Sequence, residues 1–175
     1  MNFRPVLNLL SDRMAALPLA IVYLTDRCNS RCVTCDYWKV GQTFLPLQTA
    51  RALAPQLRQL GTRVVLLSGG EPLLHPQWAE IAEMLRGAGL DLWLLTAGLA
   101  LRQHAARAAD LCREITVSLD GADADTYRAI RGVDAFARVC AGVRAAVAAG
   151  ATVSLRCTLQ RSNYRQLPQL VTLAR

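Results

Sequence analysis

Cys28, Cys32 and Cys35 fall within the stretch TDRCNSRCVTCDYW, separated by three residues and then by two. Closely spaced thiolates hold either zinc or an iron-sulfur cluster, and their number decides what else the metal can do. A structural zinc site closes its tetrahedron with four protein ligands, so three thiolates leave a coordination position open. A four-iron cluster ordinarily takes four thiolates, so three would leave one iron free for a substrate or cofactor. From the triplet alone both readings stand, with His75, His104 or a distant cysteine available to complete a zinc site.

The elements that must position the triplet are legible in the hydrophobic pattern. The apolar run LPLAIVYL reads as a buried strand that delivers the chain straight into the cysteines. Ala50, Leu53, Leu57 and Leu60 recur at helical spacing and are closed by Gly61; RVVLLSGG (Arg63 to Gly70) is a second strand, and Pro76 opens a helix ending near Gly87 and Gly89. LDLWLLT (Leu90 to Thr96) is a third strand, followed by an alanine-rich helix over about Leu101 to Ala109, and EITVSLDG (Glu114 to Gly121) is a fourth. A helix bearing Phe136, Val139, Cys140, Val143 and Val147 leads to a fifth strand, TVSLRCTL (Thr152 to Leu159), and a last helical segment starts at Asn163.

Strands alternating with helices imply a parallel sheet, either an open α/β sheet or a (β/α) barrel. The barrel is favoured because each strand ends in polar or glycine residues: Thr25, Ser68-Gly69-Gly70-Glu71, Thr96, Ser118-Leu119-Asp120 and Thr158. The carboxyl ends of barrel strands build active sites. Five strands fall short of a closed barrel, so we expect a partial parallel barrel that stops after the fifth βα unit. Residues 1–17 are expected to be a helical lead-in and 18–175 the core.

Composition narrows the function. The chain has 175 residues and a net charge of +7, from 20 basic and 13 acidic residues, and every basic residue except Lys39 is an arginine. The arginines are scattered, without a basic run or interleaved aromatics, which argues against nucleic acid. No apolar run approaches the length of a membrane span. Six cysteines without a clear secretory signal point to metal or redox chemistry in a reducing compartment, expected to be the cytoplasm.

Three stretches taken together, CNSRCVTC after the first strand, SGGEPLLHP at the end of the second and SLDG at the end of the fourth, resemble the radical S-adenosylmethionine superfamily. The wording GGEPLL and SLDG is similar to the branch that includes the molybdenum-cofactor GTP cyclase, the pyrroloquinoline-quinone peptide enzyme and other peptide maturases. The resemblance implies that Cys28, Cys32 and Cys35 hold three irons of a four-iron, four-sulfur (4Fe-4S) cluster and that the fourth iron chelates S-adenosylmethionine. An electron from a flavodoxin- or ferredoxin-type donor would then cleave the cofactor to a 5′-deoxyadenosyl radical, which takes hydrogen from a small-molecule or peptide substrate. Gly69 and Gly70 would bring the backbone against the methionine amino group, Glu71 would supply a compensating negative charge, and Ser118 and Asp120 would read the ribose and carboxylate. Arg131, in AIRG, and Arg156, on the polar face of the fifth strand with Ser154 and Thr158, are candidates for a cofactor or substrate carboxylate.

Some positions depart from the family pattern. Thr34 stands where an aromatic residue usually precedes the third cysteine, with Tyr37 and Trp38 following instead, and Thr96-Ala97-Gly98 replaces Thr-Asn-Gly. Cys112, Cys140 and Cys157 lie on apolar faces and read as buried small residues. The alternative function is a zinc-stabilised α/β binding module. An iron-sulfur electron carrier would leave the SGGEP glycines unexplained.

Overall fold

The computed structural model describes Asn8 and residues 14–175, so the helical lead-in expected over 1–17 lies largely outside the described residues; residues 14–17 form no regular element. Five strands follow: β1 (Leu19–Thr25), β2 (Val64–Gly69), β3 (Asp91–Thr96), β4 (Glu114–Ser118) and β5 (Val153–Arg156). They pair in parallel in the order β1-β2-β3-β4-β5. Right-handed crossovers between strands laid down in sequence send every connecting helix to the same face, whereas a doubly wound sheet reverses its order and buries both faces. The sequential order therefore gives the partial barrel.

Burial follows the period-two alternation of side chains along each strand. Ala20, Val22, Leu24, Val65, Leu67, Leu92, Leu94, Ile115 and Val117 are buried under the helices, while Leu19, Ile21 and Tyr23 on the other face of β1 stay exposed. The helices are α1 (Tyr37–Val40), α2 (Leu47–Gln59), α3 (Trp78–Gly87), α4 (Leu101–Leu111), α5 (Ala124–Arg131), α6 (Phe136–Ala148) and α7 (Leu167–Leu173). Those after the first four strands press Ala50, Ala54 and Leu57 of α2, Trp78, Ile81 and Leu85 of α3, Leu101, Ala105 and Ala108 of α4, and Val139 and Ala146 of α6 into one core.

Two local features bear on the site. α5 is capped at its start by Asp123, whose carboxylate accepts from the Thr126 N–H at 2.8 Å, and it ends at Gly132 in the left-handed region (φ 68°). β5 is shorter than its alternating pattern predicts. It stops at Arg156, because the Thr158 N–H leaves the ladder and donates to Asp120 Oδ1 at 2.7 Å.

Candidate functional site

The cysteine loop springs from the carboxyl end of β1, where the pairing with β2 shifts register between Tyr23 and Thr25. Such a bulge re-aims the chain. Thr25 braces the departure: its hydroxyl donates to the Thr43 carbonyl at 2.5 Å and accepts from the Arg27 N–H at 3.1 Å. Asp26 accepts from both the N–H (2.6 Å) and the hydroxyl (2.7 Å) of Thr43, which hold its carboxyl below its ordinary value.

The glycine turn after β2 lies directly beneath this loop. The Gly70 N–H donates to the Thr25 carbonyl at 2.8 Å, and the Glu71 N–H to the Arg27 carbonyl at 2.7 Å. A Cβ on Gly69 (φ 129°) would overlap the Thr25 carbonyl oxygen, and one on Gly70 would overlap that of Arg27. The close approach that requires glycine is thus backbone against backbone, between the turn and the root of the cysteine loop. The expectation tied these glycines to the cofactor's amino group alone; the structure adds this earlier need.

Glu71, expected to supply a negative charge to the cofactor, finds partners within the fold. It is completely buried: Oε1 accepts from the Leu73 N–H (3.1 Å) and the Thr96 hydroxyl (2.7 Å), and Oε2 from the Ala97 N–H (2.7 Å). Burial pushes its carboxyl up, against the pull of these bonds. Its work is to tie the end of β2 to the end of β3. The Ala97 that interrupts the family wording serves this tie through its backbone.

On the other side, α5 grips the loop. The Arg31 N–H donates to the Arg131 carbonyl at 2.9 Å and the Val33 N–H to the Ile130 carbonyl at 3.0 Å, one bond on each side of Cys32. Arg131 and Asp120, each expected to meet the cofactor, meet one another, Nη1 to Oδ2 at 3.1 Å, in a buried ion pair. Asp120 also accepts the Thr158 N–H, and its carbonyl accepts from Asn163 Nδ2 at 3.0 Å. It joins the ends of β4 and β5 to α5.

Ser118 lies half-buried at the end of β4, on the face away from the helices, and Arg156 is its register partner on β5. Arg156 is exposed. The two stand side by side on the open face, at the carboxyl ends of their strands.

The three thiols are free; Cys28 and Cys32 are half-buried and Cys35 is exposed. Burial pushes the thiols of Cys28 and Cys32 up, while the charge of Arg131 pulls both back. A cavity of about 370 Å³ lined by Cys28, Asn29, Arg31 and Trp38 adjoins the loop. Among the described residues, no three or more His, Cys, Asp and Glu side chains gather to ligate one metal ion. Three thiols on one loop beside a cavity are a donor set that fits an iron-sulfur cluster, in which each thiolate takes its own iron.

The remaining candidates are placed elsewhere. His75 is buried, with Nε2 2.9 Å from the Leu45 carbonyl and Nδ1 accepting the Gln77 N–H, and His104 accepts from Trp78 Nε1 at 3.3 Å. Cys112 is buried, its thiol pushed up to about 12 by desolvation, whereas Cys140 and Cys157 are only half-buried. Trp38 donates through Nε1 to the Cys32 carbonyl at 3.3 Å, and Tyr37 packs edge-on to Tyr23. Sequence reasoning marked Thr96 as a strand end but not as the partner of Glu71, and gave no site role to Tyr127 or Asn163. Only Thr96, a polar residue ending an apolar strand, carried a local signal.

Residues 22–174 match the model of the radical SAM superfamily. The chain is 36% identical over 166 residues to a GTP 3',8-cyclase of Rhodopseudomonas palustris, covering 87% of this chain and 48% of the relative. It is 33% identical over 159 residues to an AdoMet-dependent heme synthase of Methanosarcina barkeri, covering 87% and 45%. The chain thus spans about half the length of the curated relatives it matches. Among solved structures, SuiB of Streptococcus suis bound to its precursor peptide SuiA superposes with a TM-score of 0.79 at 15% identity, over 90% of this chain and 36% of SuiB, which speaks to the fold. Family match, relatives and fold agree with the cysteine spacing and the sheet that carries it: the chain belongs to the radical S-adenosylmethionine superfamily, enzymes that work with a 4Fe-4S cluster and S-adenosylmethionine.

Proposed function

We propose that this chain is the cluster- and cofactor-binding core of an enzyme that cleaves S-adenosylmethionine reductively and uses the resulting 5′-deoxyadenosyl radical to take hydrogen from a substrate. The observation that carries the reading is the double anchoring of the thiol loop, to the glycine turn through Gly70 and Glu71 and to α5 through Ile130 and Arg131. A loop held on both sides presents Cys28, Cys32 and Cys35 without reorganisation, which is what a preorganised ligand set needs. When bound, the cluster and cofactor supply the electron transfer and the radical.

The protein's own part is to bind, orient and exclude water. The Gly69 and Gly70 carbonyls are the acceptors offered to the cofactor's amino group, and Ser118 offers a hydroxyl to its ribose. Arg156 offers a guanidinium to a carboxylate of cofactor or substrate. Glu71 and Asp120 act at one remove, by holding the strand ends in register.

The substrate is a small molecule or a peptide. The relatives named for GTP and heme, and the peptide bound by SuiB, span that range. An electron donor of the flavodoxin or ferredoxin type is required. Six free cysteines fit a reducing compartment, and we assign the protein to the cytoplasm. No helix among the described residues is long and apolar enough to cross a membrane.

The test is anaerobic reconstitution with iron and sulfide, followed by dithionite and S-adenosylmethionine. A brown protein that releases 5′-deoxyadenosine supports the reading. A colourless, zinc-loaded protein, or cofactor bound to a reduced cluster without deoxyadenosine, overturns it.

A further inference from the structure

We infer that Arg131 and Tyr127, with Asp120 behind them, form a polar floor under Cys32 that sets how readily the cluster takes up its electron. The inference rests on the cluster reading above. It starts from α5, whose last turn is bonded to the residues on either side of Cys32, Arg31 to the Arg131 carbonyl and Val33 to the Ile130 carbonyl. Gly132 closes the helix in the left-handed region, so close to Arg31 that a Cβ there would overlap the Arg31 carbonyl. Arg131 is therefore fixed beneath the loop.

Its guanidinium is turned inward, with Nη1 on Asp120 at 3.1 Å. Its Nε is buried with no partner among the described residues. Tyr127, one helical turn earlier on the same face of α5, is completely buried, and its hydroxyl also has no partner. Buried polar groups are ordinarily paired, and two unpaired donors at one place point to an acceptor. Cys32 is the nearby group that becomes a strong acceptor on binding iron, since it is then a thiolate.

Asp120 moderates the positive charge of Arg131. A cation and hydrogen-bond donors beside a ligand sulfur favour the reduced, more negative cluster and raise its potential. Arg131 and Tyr127 are positioning residues acting through Cys32.

The experiment is a potentiometric titration of the reconstituted protein, followed by electron paramagnetic resonance without S-adenosylmethionine, with iron counted in each sample. Tyr127→Phe removes one oxygen and should lower the reduction equilibrium constant about tenfold, ~59 mV for one electron. Asp120→Asn leaves Arg131 uncompensated and should shift the potential upward by a similar amount. Arg131→Met strands a buried carboxylate, so the double variant Arg131→Met/Asp120→Asn is compared with Asp120→Asn and should fall below it. Opposite signs from neighbouring substitutions do not arise from a general loosening. Unmoved potentials with full iron content, or loss of iron in Tyr127→Phe, would overturn the inference and leave the cluster reading intact. Failure of the unsubstituted protein to bind a cluster would overturn both.

Discussion

Two thiols of the loop are half-buried and the third is exposed, yet all three are needed if each takes its own iron. Replacing any one of Cys28, Cys32 or Cys35 by Ala should lower iron from about four per chain toward background and abolish the cluster's visible absorption. Cys112→Ala, Cys140→Ala and Cys157→Ala should retain both; a cluster surviving Cys32→Ala but lost in Cys157→Ala would reverse the ligand assignment. Glu71 tests a different kind of contribution. Its two oxygens satisfy two backbone N–H groups and a hydroxyl in a fully buried place. Glu71→Gln sets an amide NH2 against one of those donors and should cost about 1–3 kcal/mol, read by denaturant unfolding.

Between elements, glycines mark where chains touch. Gly70→Ala would drive a Cβ into the Arg27 carbonyl, so it should lower stability by about 1–3 kcal/mol and reduce iron loading together. Gly87, the last residue of α3, has nothing within 4 Å of a built Cβ, and Gly87→Ala should add about 0.5–1 kcal/mol without touching iron. α3 and α4 also meet through Trp78, whose Nε1 donates to His104 Nδ1, with the rings edge-on at 5.5 Å. Burial holds His104 below its ordinary value of 6.5, so between the two values the unfolded chain binds a proton that the fold refuses. Stability from this group is full above pH 6.5 and falls as pH drops toward the lowered value. Thermal melts across that range should show the decline, and His104→Gln should flatten it.

At the scale of the molecule, one face of the sheet is covered and the other is open. Leu19 (38% exposed), Ile21 (55%) and Tyr23 (51%) line the open side at β1, and among the described strands β5 pairs only with β4. An apolar face beside unpaired strand edges favours self-association. The net charge of +7 opposes it. Screening removes that repulsion, since the Debye length falls from ~30 Å at 0.01 M salt to ~3 Å at 1 M. Sedimentation should find the chain more associated at the higher salt; association that weakened with salt would mean that ion pairs, not the apolar face, hold the copies together.

The amino-acid sequence by itself determined the cysteine spacing, the alternation of strands and helices, and the glycine turn, because each is written in residues near one another in the chain. Strand number and the covered face followed from the same local periodicity. What only the tertiary structure decided was which distant groups find each other. Asp120 and Arg131 both read as cofactor contacts, and the fold brings them within 3.1 Å of each other; Glu71 read as a compensating charge for the cofactor, and the fold sets Thr96 and Ala97 against it. Tyr127 and Asn163 carried no local signal, since a tyrosine in a helix and an asparagine in a loop are ordinary until their neighbours are known. A buried polar group takes whatever partner the packed chain puts within reach, and that choice is made by the assembly of the sheet.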